Sequence, residues 1–273
     1  MINGAVLGSP ISHSLSPVLH KAAFDFLGIE GTYSAIKVAS GALGKFIEMR
    51  SAEFDYLSLT MPLKEEVLEL QSSDKVIVKV DELGKRIQSI NTLVKTGDGW
   101  SATSTDGSGF VKSLANAGYE RFESVLVLGA GGTARAVAGA LDDIATSVDV
   151  MRRSVRRSPA IAACFRNIEC EFLDWDDSTD LSGYDLVVNT TPSGAADLVA
   201  DNLSRNIKGL LFDVLYKPWP TLLARRWSDS GGKTISGLEL LLYQGIDQLS
   251  LVTDFAGKAI DKDLRLALAN ATN

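Results

Sequence analysis

The sequence predicts an α/β protein of two domains, each built on a largely parallel sheet. Three observations predict it. Short strand-like runs alternate with helix-like runs along the chain, the alternation breaks once in a turn-rich segment near residues 104 to 110, and a second series then opens on a glycine-rich strand–helix junction. A length of 273 residues suits two domains of about 100–150 residues better than one.

Taken in order, "GAVLG" reads as a strand, "PVLHKAAFDFLG" as a helix, "TYSAIKV" as a strand and "ALGKFIEMR" as a helix. "DYLSLT" is β-type and "KEEVLELQ" helical; "KVDELGKRI" is helix-like, and the strand-like "SINTLVKT" and "WSATST" follow. After the "STDGSGF" break come "SVLVLGAGGTARAVAGAL", "SVDVM", "DLVVNT" and "GLLFDVL", a second βαβ series, with the boundary expected near residues 107 to 120. "GLELLLYQGIDQLSLVTDF" is helical, and its pattern leaves open which domain it joins.

Bulk properties exclude several classes. The chain is 45% hydrophobic and 22% charged, ordinary for a globular protein with a sizeable core. Its formal charge of -7 argues against a general nucleic-acid or anionic-membrane binder, which needs a Lys/Arg excess. Two cysteines without CxxC spacing, Cys164 and Cys170, point to a reducing compartment and against a thiol metal site. The N-terminus shows no signal peptide, and no apolar run approaches the roughly 20 residues of a membrane span. A cytoplasmic protein without bound metal is expected.

Residues 125 to 138 read VLVLGAGGTARAVA, in which Gly129-x-Gly131-x-x-Ala134 follows a buried-type strand and opens a small-residue helix. Gly129 permits the tight turn, Gly131 lets the backbone approach a pyrophosphate, and Ala134 lets helix and strand pack closely. A ligand-free glycine turn would share the letters but has no need of the whole strand–loop–helix context. About twenty residues on, an NAD-preferring site places an acid at the end of the second strand. Here the strand ends in Arg152, Arg153, Ser154, Val155, Arg156 and Arg157, whose guanidiniums and hydroxyl suit a 2′-phosphate. Asp149 stands too early to serve as the ribose acid. The cofactor expected is NADP(H). The competing reading is a solvated basic start to a helix.

Polar residues cluster at strand ends of the first domain. "GSPISHSLSPVLH" sets Ser12, Ser14 and Ser16 ahead of Pro17; Ser16 could simply cap the helix, with Pro17 at its first position. His13 and His20, the only histidines, have no third metal ligand nearby, so a surface or packing role is expected of both. Ser58, Thr60, Lys64, Asn91 and Asp106 complete the set, although Asn91 and Asp106 could also be caps. Reducing a ketone requires a hydride donor, a proton donor to the developing alkoxide and orienting groups. Lys64 and Asp106 are the only acid/base pair in this set. Locally, Pro62 starts a helix whose positive end suits Glu65 and Glu66, so lysine at 64 has the wrong sign, an inconsistency typical of functional sites.

These residues resemble a known family. "GSPISHSLSP", "SLTMPLKEE", "SINTL", "STDG", "GAGGTARA", "NTTPSG", "DVLYKPWPT" and "GLELLLYQ" occur in the order and spacing of shikimate dehydrogenases, from Gly8 to Gln244. The "SLTMP" and "PWPT" variants look most like the actinobacterial branch. The resemblance implies reversible NADPH-dependent reduction of 3-dehydroshikimate to shikimate, in aromatic amino-acid synthesis. It implies a substrate domain over 1–107 joined by C-terminal helices 238–273, and a Rossmann domain over 108–237, with the active site in the cleft of a monomer or homodimer. Ser14 and Ser16 would bind the substrate carboxylate. Thr60, Asn91, Asp106 and Gln244 would hold its hydroxyls, Tyr216 would face it, and Lys64 would pair with Asp106 as the acid/base group. Gly129, Ala130, Gly131, Gly132 and Thr133 would cradle the pyrophosphate, and Arg153, Ser154 and Arg157 the 2′-phosphate, beside Arg152. Thr191, Val214 and Gly237 would lie near the nicotinamide.

The chain departs from the family pattern at a few positions. Asn is usual where Ser58 and Ser104 stand, Met where Leu240 stands, and Asn-Arg-Thr where Arg152-Arg153-Ser154 stands. The arginine change strengthens phosphate binding, whereas Ser58 could loosen one substrate contact or admit quinate. A quinate/shikimate dehydrogenase with some NAD use is therefore the alternative enzyme. A non-catalytic ligand sensor on this fold would be expected to have lost Lys64, Asp106 or the glycine loop, and all are present.

Overall fold

The computed structural model describes residues 1–72, 76–255 and 259–272. It divides into two compact units, one of Met1–Gly109 with Leu241–Asn273 and one of Phe110–Leu240.

The first unit opens with β1 (Ile2–Gly8), α1 (Ser16–Leu27), β2 (Gly31–Lys37), α2 (Leu43–Arg50), β3 (Tyr56–Leu59) and α3 (Leu63–Glu66). Then follow β4 (Val78–Val80), α4 (Glu82–Ile87), β5 (Thr92–Thr96), β6 (Gly99–Thr103) and α5 (Asp106–Asn116). Its sheet has the order β2-β1-β3-β5-β6-β4. β1 runs parallel to β2 and β3, and β4 parallel to β6, while β5 is antiparallel to both its neighbours. The sheet is thus mainly parallel with one inverted strand. The cause is local: Gly97-Asp98-Gly99 is a hairpin turn between β5 and β6. A core of Leu7, Leu43, Ile47, Leu57, Leu59, Leu63, Ile90 and Leu93 seals one sheet face. Each such side chain contributes about 1.5–3 kcal/mol by leaving water.

The second unit holds β7 (Phe122–Leu128), α6 (Gly132–Leu141), β8 (Ala145–Arg152), α7 (Ser158–Ala162), β9 (Glu171–Asp174) and β10 (Leu186–Asn189). It continues with α8 (Asp197–Asp201), β11 (Leu210–Asp213), α9 (Leu222–Asp229), β12 (Lys233–Ser236) and the start of α10 (Gly237–Ser250). All pairs in the order β12-β11-β10-β7-β8-β9 are parallel. This is the doubly wound Rossmann order, whose direction reverses between β7 and β10. The central strand β7 is apolar along its second half because both of its faces are covered: Val125, Leu126, Val127 and Leu128 are at most 1% exposed.

The chain then returns to the first unit. α11 (Asp261–Thr272) packs on α1 through buried Leu264 and Leu268. Two glycines let α10 lie close to its neighbours. A side chain at Gly245 would meet Leu19 of α1 at 2.8 Å, and one at Gly109 of α5 would meet the Gln244 backbone at 2.6 Å. The helical C-terminal segment thus belongs with the N-terminal sheet, as the resemblance implied.

Candidate active site

β3 ends at Leu59, and the chain turns at Thr60, whose N–H donates to Leu7 O at 2.9 Å and whose carbonyl accepts Leu63 N–H at 2.8 Å. The Met61–Pro62 peptide is cis, and Pro62 caps the four-residue α3. The helix expected over "KEEVLELQ" is therefore one α-turn followed by a 3-10 segment, Val67–Ser72. Glu66 serves a different helix from the one expected: its carboxylate accepts Gly41 N–H at 2.9 Å and Leu43 N–H at 2.8 Å, capping α2. Lys64 points the other way, and its ammonium donates to Asp106 Oδ2. The two side chains are only 16% and 7% exposed, so this is a largely desolvated ion pair rather than a surface one.

Asp106 opens α5, and its second oxygen accepts Asn91 Nδ2–H at 2.7 Å. Asn91 sits just before β5 with its main chain in the sheet, accepting from Leu59 N–H at 2.7 Å and donating to Thr103 O at 3.2 Å. Its carbonyl oxygen accepts Thr105 N–H at 2.8 Å and Thr92 Oγ1–H at 2.7 Å, which fixes the amide so that its N–H2 faces the carboxylate. Gln244 of α10 adds an acceptor for the same amide at 3.2 Å and donates to Leu241 O at 3.0 Å. Lys64, Asn91, Asp106 and Gln244, read from four separate motifs, thus form one bonded cluster. Neither Asn91 nor Asp106 is a mere cap.

The serines differ in their placement. Ser16 is the first helical residue of α1 rather than its cap; the N-cap is Leu15, with no side-chain cap bond, while Ser14 Oγ accepts Ser16 N–H at 3.3 Å. Their loop begins beside Thr60 and Met61, since Ser9 N–H donates to Met61 O at 2.9 Å and a side chain on Gly8 would strike Thr60. Ser58 is 5% exposed, accepts Tyr33 O–H at 2.6 Å and donates to Gln248 Oε1 at 2.8 Å. Ser104 is also buried, and its hydroxyl has no hydrogen-bond partner among the described residues. His20 is fully buried between Phe24, Tyr33 and Tyr56, and His13 is exposed, in keeping with packing and surface roles.

In the second unit, the loop after β7 has the geometry a pyrophosphate requires. Gly129 has φ +102, and a side chain there would also strike Thr190, whereas one at Gly131 would meet nothing within 4 Å. Gly131 caps the ten-residue α6 without a side-chain bond, so the first N–H groups of that helix face an open loop at the sheet's switch point. Thr133 lies in its first turn and Ala134 is fully buried, as close helix–strand packing requires. These residues fit NADP(H). Asp149 lies inside β8 and accepts Tyr184 O–H at 2.5 Å, so it is not at hand for a ribose.

The arginines divide between two roles. Arg152 is 9% exposed and bonds Asp174 at 2.5 Å, Ser158 at 2.6 Å and Leu173 O at 3.1 Å, fastening β8 to β9 and α7. Arg153 is exposed, lies over the Trp175 ring at 4.8 Å and donates to Ala195 O at 2.9 Å. Arg157 reaches back to the glycine loop, donating to Ala130 O at 3.2 Å, and Ser154 is exposed at the start of the same short turn.

"DVLYKPWPT" follows β11 as a loop organised by Asp213. Its buried carboxylate accepts Leu215 N–H at 3.1 Å, Asn189 Nδ2–H at 3.1 Å and Thr221 Oγ1–H at 2.7 Å. Burial pushes this carboxyl above the usual range, and the three donors oppose the shift. Thr191 is set by the same Asn189, and Val214 adjoins Gly237, where any side chain would meet Val214 O at 2.1 Å. Tyr216 is half-buried on this loop. Asn189, Asp213 and Thr221 were not singled out as site residues, although the D-to-T spacing of the motif signals such a bond. Gln248 was also missed; it lies one helical turn beyond Gln244, a spacing that could have revealed it.

Among the described residues, no cluster of His, Cys, Asp and Glu could hold a metal ion, and no helix is long and apolar enough to cross a membrane.

Comparison with known proteins agrees with this geometry. Residues 6–93 match the family described as shikimate dehydrogenase substrate binding domain. The chain is 38% identical over 266 residues to a shikimate dehydrogenase (NADP(+)) of Methanosarcina mazei, covering 91% of both chains. It is 34% identical over 251 residues to that of Thermosynechococcus vestitus, covering 88% of this chain and 86% of that one. Among solved structures, the shikimate 5-dehydrogenase of Thermus thermophilus in complex with NADP(H) and shikimate superposes with TM-score 0.85 at 30% identity, covering 99% of this chain and 100% of that one. The shikimate dehydrogenase of Mycobacterium tuberculosis gives 0.84 at 31%, with the same coverage. Two-domain architecture, bonded Lys64–Asp106 cluster and whole-chain similarity converge, and the chain belongs to the shikimate dehydrogenase family.

Proposed function

We propose that this chain catalyses the reversible reduction of 3-dehydroshikimate to shikimate with NADPH, in the chorismate pathway to aromatic amino acids. The observation that carries the proposal is the Lys64–Asp106 pair, held by Asn91 within a hydroxyl- and amide-rich cluster of the first unit. NADPH, when bound, supplies the hydride. Lys64 delivers the proton to the substrate oxygen on reduction and takes it back on oxidation. Asp106 holds the ammonium in place and compensates its charge; Asn91 fixes Asp106, Gln244 accepts from Asn91, and both amides meet substrate hydroxyls. Ser14 and Ser16 bind the substrate carboxylate, Thr60 a hydroxyl, and Tyr216 faces the substrate. Ser58 has one lone pair left to accept from the substrate, since Tyr33 occupies the other and the Ser58 proton goes to Gln248.

For the cofactor, Gly129, Ala130, Gly131, Gly132 and Thr133 hold the pyrophosphate. Arg153, Ser154 and Arg157 grip the 2′-phosphate, and Thr191, Val214 and Gly237 border the nicotinamide. Arg152 supports that grip from beneath through Asp174 and Ser158. The substrate domain spans 1–107 with 238–273 and the cofactor domain 108–237, in a cytoplasmic monomer or homodimer. The "SLTMP" and "PWPT" variants support an actinobacterial-like branch.

A four-way turnover assay tests the reading. Shikimate with NADP+ is expected to be oxidised far faster than shikimate with NAD+ or quinate with either cofactor. No turnover of shikimate with either cofactor rejects the enzyme. Quinate rivalling shikimate would favour the alternative raised by Ser58.

A further inference from the structure

Beneath the acid/base pair runs a chain of hydrogen bonds all donated in one direction. Tyr33 O–H donates to Ser58 Oγ at 2.6 Å, and Ser58 O–H to Gln248 Oε1 at 2.8 Å. Gln248 Nε2–H donates to Thr92 Oγ1 at 2.9 Å and to the Asn91 carbonyl at 3.3 Å. Thr92 O–H donates to Asn91 Oδ1 at 2.7 Å, and Asn91 Nδ2–H to Asp106 Oδ1 at 2.7 Å. We propose that Tyr33, Ser58, Gln248 and Thr92 are positioning residues for the reaction: a one-way relay that orients the Asn91 amide and so holds Asp106, and through it Lys64, in register.

The direction follows from the chemistry of each link. Thr92 has one proton; because Gln248 occupies its acceptor side, that proton goes to Asn91 Oδ1. Gln248 cannot flip, because its Nε2–H donates to the Asn91 main-chain carbonyl and a flipped amide would set its own oxygen against that acceptor. Ser58 is directed in turn by Tyr33, whose ring is clamped against His20 at 3.9 Å with planes 4° apart. His20 Nδ1 is itself hydrogen-bonded to the Tyr56 hydroxyl at 2.7 Å. Two links are amides, which transmit hydrogen bonds but do not pass protons, so the relay orients rather than conducts. Such a buried chain is cooperative, each bond polarising the next. Thr92 is 0% and Gln248 1% exposed, so neither touches substrate.

The proposal rests on the reading of Lys64 and Asp106 as the acid/base pair, and its test separates the two. Thr92→Val keeps the shape of the side chain and removes the hydroxyl; Thr92→Ser restores it; Gln248→Met removes the upstream link at similar volume. Thr92→Val is expected to lower kcat about three- to tenfold, the weight of one hydrogen bond. The KM for NADP+ should stay near wild type while the Tm falls by a few degrees, as loss of a buried hydroxyl requires. Thr92→Ser should restore the Tm and return kcat to within about twofold. The double variant Thr92→Val with Gln248→Met should lose clearly less than the sum of the two single losses, because both substitutions break the same chain. The Asn91 side-chain amide, followed by ¹⁵N NMR without cofactor, should exchange its protons faster in Thr92→Val and not in Thr92→Ser. Additive losses, equal losses in Thr92→Val and Thr92→Ser, or an unchanged Asn91 amide would overturn the relay. Wild-type protein inert toward shikimate with an Asn91 amide that still responds would reject the enzymatic reading alone.

Discussion

Lys64 is held by two constraints of different origin. Its main chain is pinned by Ile90 N–H donating to the Lys64 carbonyl at 2.8 Å, which joins α3 to the segment leading to Asn91. Its ammonium meets a carboxylate whose other oxygen accepts from the Asn91 amide. Lys64→Ala is expected to reduce kcat about 10²- to 10⁴-fold, the usual weight of a positioned acid/base group, with NADP+ affinity unchanged. Steady-state kinetics with separate cofactor titration check this, and near-normal kcat would remove Lys64 from the mechanism. His20 makes a second residue-scale prediction. Burial holds its imidazole down at about 3, from 6.5, tempered by the Gln248 amide nearby, while Nε2 has no hydrogen-bond partner among the described residues. The unfolded chain therefore binds a proton below 6.5 that the folded chain refuses until about 3, and stability is lost as pH falls through that window. Near pH 5 the slope should approach about 1.4 kcal/mol per pH unit. Urea midpoints at pH 7 and 5 should show it in wild type and lose it in His20→Asn; equal slopes in both would rule out His20 as the source.

At the scale of elements, some placements were legible in the sequence and others were not, for physical reasons. α6 and its glycine loop were legible because backbone approach to a ligand requires particular small residues at fixed spacing. β9 and β12 were not singled out, being four-residue strands at the sheet edges with polar residues at their ends. The inverted β5 was signalled by Gly97-Asp98-Gly99, but alternation of strands and helices outweighed the hairpin turn. Glu66 misled because its charge suits its own helix locally, while its bonds go to α2. Thr221 shows how one residue ties elements together: it caps α9 by accepting Ala224 N–H at 3.0 Å and donates to Asp213 of β11. Thr221→Val should destabilise the protein by about 1–3 kcal/mol, a lost cap together with a lost bond to a buried carboxylate. Thr221→Ser should come within about 0.5 kcal/mol of wild type, as expected where no such feature is lost. Chemical denaturation decides, and indistinguishable variants would mean the hydroxyl contributes nothing.

Over the whole molecule, the candidate site joins residues remote in sequence, and only a return of the chain brings them together. Asn91 meets Gln244 and Gln248 across 153 and 157 positions. Gln244 was identified only through the resemblance, since nothing local to α10 says which sheet it will cover. The second unit needs no such return: Phe110–Leu240 contains all six parallel strands, the glycine loop and the arginines after β8. A chain ending at Leu240 should therefore separate the two ligands. It lacks both glutamines, and α1 loses its cover by α10 at Leu19 and by α11, so the first unit should neither bind nor turn over shikimate. The second unit should still bind NADP+ within about tenfold of the full chain, a change under about 1.4 kcal/mol. Calorimetric titration with each ligand reads both outcomes. Shikimate binding by the shortened chain would show that α10 does not complete the site, and loss of NADP+ binding would show that the Rossmann unit depends on the segment removed.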